Sequence, residues 1–147
     1  MQIRDRIIDF RRVRVAELRA HPQNWRVHPP AQRKALENVL GEIGYADALV
    51  ARRCADGTLE LIDGHLRAET TPDAEVPVLV VDLNEREAAL LLAVHDPLSA
   101  MADTDVGLLE QVLASVETDS QYVRGILGDL VAPPAIVADS AASSPGP

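Results

Sequence analysis

The chain has 147 residues, which suits a single domain and allows roughly two-thirds of the unfolded surface to be buried in one core. Hydrophobic residues make up 47% of it, which excludes a disordered chain, and no apolar run approaches the roughly 18 residues of a membrane-spanning helix. One cysteine excludes an internal disulfide and a thiolate zinc site, and one Trp, two Tyr and one Phe argue against a surface that stacks many bases.

The net charge of −9 is distributed unevenly along the chain. Up to Arg67, 12 basic and 9 acidic residues leave +3, whereas 2 basic and 14 acidic residues from Ala68 onward leave −12. The total charge opposes tight non-specific binding to DNA, but the basic first half leaves room for an anion-binding face. A solvated surface with uneven charge is the alternative interpretation.

The N-terminal third is predicted to form a strand, a loop and a helix. Residues 11–15 alternate around two valines and predict a strand, and one helical turn follows at residues 16–20. Three prolines exclude regular structure from residues 21–30, which we interpret as an ordered loop or a lid. From Ala31 the apolar residues recur at helical spacing and predict a helix that Gly44 ends.

The middle of the chain predicts a hairpin, a short helix and a buried strand. Residues 49–51 and 58–62 flank an Asp-Gly turn and predict the hairpin, in which we interpret Arg52 as a solvent-facing residue at a sheet edge. A helix that starts at His65 is limited to about two turns by a following proline. The apolar run 76–81 predicts a strand covered on both faces.

Three helices are predicted in the last third. Asn84 and Glu87 have the spacing of a capping box, and the helix they begin is expected to end near Asp96, with His95 in a structural role. Two amphipathic helices follow at about 108–116 and 123–130, and we expect them to form a helical hairpin.

These elements predict an α/β (α+β) fold, in which a small mixed sheet is flanked by helices and followed by the helical hairpin. The predicted organisation is a domain over residues 1–102, a helical extension over 103–131 and a terminal segment over 132–147. Since 13 of the last 16 residues are Ala, Pro, Ser or Gly, we expect that segment to be a disordered tail or linker. No apolar stretch precedes Arg11, so we expect no secretory signal and a cytoplasmic location.

The candidate site is the run Asp63-Gly64-His65-Leu66-Arg67, where a predicted strand meets a predicted helix. Gly64 would let the backbone approach a ligand, and Arg67 offers a planar fork to phosphate oxygens. His65 suits proton transfer near neutral pH, and Asp63 would orient it or bind a metal through water. We therefore expect the first amides of the helix and an unobstructed Arg67 guanidinium to converge on an anion. In the structural alternative, His65 caps the helix and Arg67 pairs with a carboxylate.

Other residues are weaker candidates for chemistry. His21 and His28 flank Trp25 in the proline-rich loop, but their spacing is not typical of metal ligands, so the sequence predicts no metal site. Trp25 is expected to pack across the loop.

In the order of its elements, the chain resembles the ParB/sulfiredoxin superfamily and in particular its ParB N-terminal-like (ParB-like nuclease) domain. The matching segments, which lie between about Arg12 and Ala102, are residues 13–18, the His-Pro-Gln-Asn-Trp-Arg run 21–26, the Leu-Ile-Asp-Gly-His-Leu-Arg run 61–67 and residues 76–81. The resemblance implies that the loop with Asn24 and Arg26 faces the Gly64 turn. A phosphate or nucleotide site formed by Gly64, His65, Arg67, Asn24 and Arg26 is thereby implied.

Three branches of the superfamily imply different activities. Partition proteins bind nucleotide phosphates with Gly-Glu-Arg-Arg, of which this chain keeps Gly64 and Arg67 but has His65 and Leu66 between them. Sulfiredoxins carry a cysteine directly after the glycine, so His65 argues against that activity. Free-serine kinases have Asp-Gly-His-x-Arg, which the chain matches, but Gln23 stands where they need a glutamate.

The resemblance is strongest to ParB-like domains of phages and mobile elements, which are often linked to DNA methyltransferases. It implies a DNA-associated domain that binds a phosphate or nucleotide (CTP, ATP or ADP, with Mg²⁺) at the Gly64 turn. If it is catalytic, it would be a nuclease or nucleotide hydrolase that uses His65 and Asp63. The alternatives are a non-catalytic adaptor for a DNA methyltransferase or another DNA-processing protein, and a free-serine-kinase-like phosphotransferase. The sequence has no recognisable helix-turn-helix, so independent reading of a DNA site is not expected.

Overall fold

The computed structural model describes residues 1–131, so the predicted tail at 132–147 lies outside the described residues. Its strands are β1 (Ile7–Arg14), β2 (Leu18–Arg19), β3 (Leu49–Arg53), β4 (Leu59–Asp63) and β5 (Glu75–Val81). Its helices are α1 (Pro30–Ile43), α2 (His65–Thr70), α3 (Glu85–Ala100), α4 (Val106–Ser115) and α5 (Gln121–Val131).

The strands form one mixed sheet in the order β1-β5-β3-β4-β2. β1 pairs antiparallel with β5 and β3 pairs antiparallel with β4, whereas the pairs β3–β5 and β2–β4 are parallel. The largest fully buried side chains lie on the central strands β3 and β5: Leu49, Val76, Val78 and Val80. Each stabilises the fold by about 1.5–3 kcal/mol through removal of apolar surface from water. The predicted mixed α/β architecture is therefore confirmed.

Two apolar clusters cover the two faces of the sheet. The larger cluster centres on Leu49 and the valines of β5 and includes Ala68 of α2. The smaller one joins Ile62 of β4 and Val81 of β5 to Ala88 of α3. Because α2 and α3 pack on different clusters, the end of β4 lies between them, and this position defines the site described below.

The segment after β1 differs from its prediction. Residues 16–20 were expected to form a helical turn, but the structure has a 3₁₀ turn at Val15–Glu17, and Leu18–Arg19 form the short strand β2. β2 pairs in parallel with β4, about 40 residues away in sequence. The conformational preference of a short segment contains no information about a pairing partner so far along the chain. The helix prediction was therefore wrong over the second half of this segment.

The position of Arg52 also corrects its prediction. β3 lies in the middle of the sheet rather than at an edge, and Arg52 is buried, with 9% of its surface exposed. Arg53, the next residue, is exposed. Neighbouring residues of a strand point to opposite faces, so only one of the two arginines reaches solvent.

α3 begins as predicted and ends later. The side chain of Asn84 accepts a hydrogen bond from the Glu87 amide at 2.9 Å, which confirms the capping box. The helix was expected to end near Asp96 but continues through Pro97 to Ala100. Proline removes one amide donor, while the residues beyond it still close the last turn, where the Met101 amide donates to the Pro97 carbonyl at 3.1 Å.

The two C-terminal helices exist as predicted, and α1 positions the second of them. α5 packs against α1, and the link before it is held by hydrogen bonds from Ser120 to Asn38 and from Thr118 to Glu42. α4 has no buried residue and exposes more than half of the surface of Val106, Leu108 and Val112. Within residues 1–131, no helix is long and apolar enough to span a membrane.

Candidate functional site

A cavity of about 570 Å³ opens between the loop after β2, the turn from β4 to α2, and one face of α3. The residues predicted for the site all line it: Asn24, Arg26, Asp63, Gly64, His65, Leu66 and Arg67. The structure thus brings together two sequence segments that are about 40 residues apart. We refer to this space as the Gly64 cavity.

The turn at Gly64 requires glycine. Its backbone has φ 100° and ψ 18°, a left-handed conformation that side-chain-bearing residues rarely adopt. A Cβ atom at this position would lie 2.6 Å from Leu49 Cγ and 3.2 Å from Arg67 Nη2. The absence of a side chain therefore lets α2 start directly at the end of β4, against the core and beneath the Arg67 guanidinium.

The side chain of His65 holds the proline-rich loop against this turn through a hydrogen bond. Its ring is buried, and its Nε2 accepts a hydrogen bond from the His21 amide at 3.0 Å. His21 is also buried, and its Nδ1 accepts a hydrogen bond from the Gln23 amide at 3.0 Å. Because Nε2 of His65 is an acceptor, the neutral ring carries its proton on Nδ1. The segment is the ordered loop that the sequence predicted.

The pKa of His65 lies below that of an ordinary histidine, chiefly because burial disfavours the charged ring. The carboxylates of Glu69 and Asp63 oppose this effect, while His21 adds to it. Protonation would also place a hydrogen on Nε2, opposite the His21 amide donor. His65 is therefore neutral at pH 7, and the loop stays attached in that state.

The guanidinium of Arg67 is not unobstructed, and that expectation was wrong. Its Nη2 lies 2.9 Å from Asp63 and its Nη1 lies 3.3 Å from Asp47, and its side chain is 16% exposed. Asp63 is four residues earlier, and the tight Gly64 turn brings its carboxylate back to the arginine. The pair lies in the wall of an open cavity rather than in a closed interior, so a ligand can still reach the guanidinium.

Arg26 enters the cavity from the loop and is also paired. Its Nε lies 2.7 Å from Asp96, and its guanidinium stacks over the Trp25 ring at 4.9 Å from the ring centre. Trp25 was expected to pack across the loop, but it is 55% exposed and serves as a platform for this arginine. Each cavity arginine therefore has a cavity aspartate as its partner.

Sequence reasoning missed the contribution of α3. Ligand atoms of Asp63, His95 and Asp96 lie within 4.8 Å of one another, a grouping able to hold a metal ion. The sequence predicted no metal site and gave His95 a structural role. The missed signal is the helical spacing of the cavity-lining residues of α3, which are Leu92, His95, Asp96, Ser99 and Ala100.

Comparisons with known proteins support the fold. No family model and no curated protein sequence matches the chain. The chromosome-partitioning protein ParB from Caulobacter crescentus, solved without its C-terminal part and in complex with CTP-gamma-S, is similar with a TM-score of 0.59 and 21% identity, over 72% of this chain and 60% of that chain. A Pnob8-like ParB-N domain is similar with a TM-score of 0.53 and 20% identity, over 75% of this chain and 46% of that chain. The chain thus has a ParB-like fold and spans about half of the length of these proteins.

Replacing Gly64 tests the packing at the turn. We expect Gly64→Ala to lower the free energy of unfolding by about 2–5 kcal/mol, since it combines backbone strain with overpacking against Leu49. Gly57→Ala is the matched control, because Gly57 also has a positive φ but no atom within 4 Å of the place where a Cβ would lie, and it should cost about 1–2 kcal/mol. Urea unfolding measures both. In a Leu49→Ala background the cost of Gly64→Ala should fall towards that of the control; an unchanged cost would contradict the steric explanation.

The buried His65 predicts a pH dependence of stability. As pH falls from about 7.5 to 5.5, His65 takes up a proton more readily in the unfolded chain than in the folded chain. The free energy of unfolding should therefore decrease. His65→Gln should flatten this slope, measured by urea unfolding at each pH in the presence of EDTA. A slope that is identical in His65→Gln and the unmodified protein would contradict the assignment.

Proposed function

We propose that the chain is a ParB-like, DNA-associated domain that binds the phosphate groups of a nucleotide in the Gly64 cavity. The observation that carries the proposal is the meeting of Arg26 and Arg67, from segments about 40 residues apart, across one open cavity. A volume of about 570 Å³ lies within the usual range of small-molecule and cofactor sites. The fold is that of a protein solved with a CTP analogue, which supports a nucleotide as the ligand.

Both arginines are neutralised by aspartates, so the binding of an anion has to replace two ion pairs. A phosphate group would take over the guanidinium forks of Arg67 and Arg26. Asp63 and Asp96 would then lose their partners, and these carboxylates lie within 4.8 Å of each other and of His95. A divalent cation that accompanies the nucleotide would restore the charge balance at this place.

The donor set fits such a cation. Carboxylate oxygens are the ligands that Mg²⁺ prefers, and it enters nucleotide sites with one or two carboxylates together with phosphates and water. Asp63 and Asp96 would hold it, and His95 would contact it directly or through water. The cation would neutralise phosphate charge there. We therefore propose a nucleotide with Mg²⁺ as the ligand, with CTP as the first candidate and ATP and ADP as the next.

The remaining predicted residues support binding more than catalysis. Gly64 lines the cavity with its backbone, Asn24 would contribute an amide, and the Nδ1–H of His65 is a donor. Catalytic roles for His65 and Asp63, in a nuclease or nucleotide hydrolase, stay predictions. His65 has one ring nitrogen bonded to the loop, and Asp63 is bonded to Arg67. The kinase alternative gains no support, because Gln23 does not line this cavity.

A second candidate function is that of an adaptor for a DNA methyltransferase or another DNA-processing protein. This function does not depend on whether the domain is of the phage or mobile-element type that the sequence predicted. The observation that favours it is the apolar face of α4 on which Leu108 and Val112, four residues apart in the helix, are each more than half exposed. Apolar side chains grouped on one surface are typical of contacts between proteins.

A thermal shift experiment tests nucleotide binding. CTP with Mg²⁺, at about a hundredfold excess over its dissociation constant, should stabilise the folded chain by about 2.7 kcal/mol. Arg67→Gln and Arg26→Gln should each remove most of this gain, because each loses one of the phosphate-binding forks. Arg33→Gln is the matched control, since Arg33 forms an exposed ion pair with Glu69 outside the cavity. If CTP, ATP and ADP all leave the melting temperature unchanged, the nucleotide proposal fails and the adaptor is favoured.

A charge-removing variant tests the exchange of ion pairs. Asp96→Asn frees Arg26 of its partner and removes a cation ligand. With EDTA the variant should therefore bind CTP more tightly than the unmodified protein, by about two- to tenfold, and Mg²⁺ should strengthen that binding much less. Isothermal titration calorimetry measures the dissociation constant of CTP for each protein, once with EDTA and once with Mg²⁺. Asp103→Asn, at an exposed residue outside the cavity, should behave like the unmodified protein. If Mg²⁺ strengthens CTP binding equally in Asp96→Asn and Asp103→Asn, Asp96 is excluded as a ligand of the cation.

A further inference from the structure

A second cavity, of about 630 Å³, is lined in part by residues 19–23, which directly precede the loop residues that line the Gly64 cavity. The two cavities share no lining residue. The charged and hydrogen-bonding side chains of the second one are Arg19, His21, Gln23, Arg52, Glu60 and Glu85. We refer to it as the Arg52 cavity. The function proposed above makes no use of it.

Glu60 is the buried centre of this cluster, with 5% of its surface exposed. One oxygen lies 2.9 Å from Arg19 Nη2, and the other lies 3.5 Å from Arg52 Nη2 and 3.6 Å from the Nε2 of His21. A single carboxylate therefore faces two guanidinium groups and an imidazole. One positive charge of the two arginines is left without a balancing anion in this group.

Arg52 is the arginine whose hydrogen bonding is incomplete. It is 9% exposed, and its contact with Glu60, at 3.5 Å, is at the long limit of a hydrogen bond. Within the described residues 1–131, its buried Nε has no hydrogen-bond partner. Buried guanidinium groups are stable when their donors are satisfied, and an unsatisfied one is uncommon in a folded protein. Arg52 lines the cavity with 11% of its side chain exposed, and because its Nε is enclosed, a bound anion would contact the guanidinium through the Nη atoms.

The charges of the cavity select the kind of anion. Around the buried Glu60 two guanidinium groups share one carboxylate, so a single negative charge would balance them there, whereas the exposed carboxylate of Glu85 at the α3 end, which brings the whole lining to no net charge, disfavours a dianion. A guanidinium fork binds a planar carboxylate through two parallel hydrogen bonds. Arg19, whose side chain is 52% exposed, gives a second guanidinium nearer to solvent. We propose that the Arg52 cavity binds a small ligand through a singly charged carboxylate group, separately from the nucleotide.

The test is a titration of the ¹⁵N-labelled chain with sodium acetate at constant ionic strength, followed by amide chemical shifts. Saturable shifts are expected at residues 19–23 and 51–53, with none at 63–67. Arg52→Gln should weaken the binding by about tenfold or more, as expected for the loss of a charged hydrogen-bonding pair. Arg53→Gln is the matched control, because this neighbouring arginine is exposed and points to the other face of the sheet. It should bind acetate as the unmodified chain does.

A second variant keeps the test decisive if Arg52→Gln does not fold. Arg19→Gln changes a half-exposed side chain and should weaken acetate binding while the spectrum stays folded. Inorganic phosphate, titrated under the same conditions, should cause smaller shifts at residues 19–23 than acetate does. Absent or non-saturable shifts with acetate, tighter binding of phosphate than of acetate at this place, or equal weakening by Arg53→Gln would each overturn the proposal. Because CTP is not added, these outcomes are independent of the nucleotide experiment.

Discussion

The close packing of Gly64 on Leu49 is the constraint on which the site depends. A left-handed glycine between β4 and α2 removes any spacer, so the first turn of α2 lies directly on the central strands of the sheet. The same contact positions His65 and Arg67, which both lie in the first turn of α2. Because the hydrophobic core determines where these two side chains lie, stability and site geometry are inseparable here. A site built on such a rigid element needs little reorganisation on binding.

The loop that completes the cavity has no such core beneath it and is held by one buried contact. Residues 21–29 contain two prolines and lie outside the sheet and the helices, and Pro30 begins α1, so few backbone bonds restrain this loop. The acceptor nitrogen of His65 bonds to the amide of His21, and the ring of His21 bonds in turn to the amide of Gln23. Through this chain of two imidazoles, the core-positioned turn determines where Arg26 enters the cavity. The ordering cost of the loop is met in the folded state before any ligand binds.

Sequence patterns predicted the elements well where the signal was local and less well where it depended on a distant partner. The capping box at Asn84 and the glycine that ends α1 are local and were confirmed. β2 was missed because its pairing with β4 is non-local, and Arg52 was misplaced because the sheet order makes β3 central. The motif around Gly64 identified the cavity, but the pairing of its arginine with two aspartates depends on side-chain geometry. His95 and Asp96 have the helical spacing expected of cavity residues on α3. This spacing was missed because the helix was expected to end near these residues, before Pro97.

Paired charges determine which ligands the two proposed sites would accept in a chain with a net charge of −9. In the Gly64 cavity each arginine is balanced by an aspartate, so a bare anion meets no net attraction and must compete with a carboxylate that is already in place. A ligand that brings an anion and a cation together exchanges both pairs at once, which favours a metal-bound phosphate over other anions. The Arg52 cavity has a different balance, because one buried carboxylate serves two guanidinium groups. How the arginines are paired with carboxylates, rather than the charge of the whole chain, therefore distinguishes what the two cavities would select.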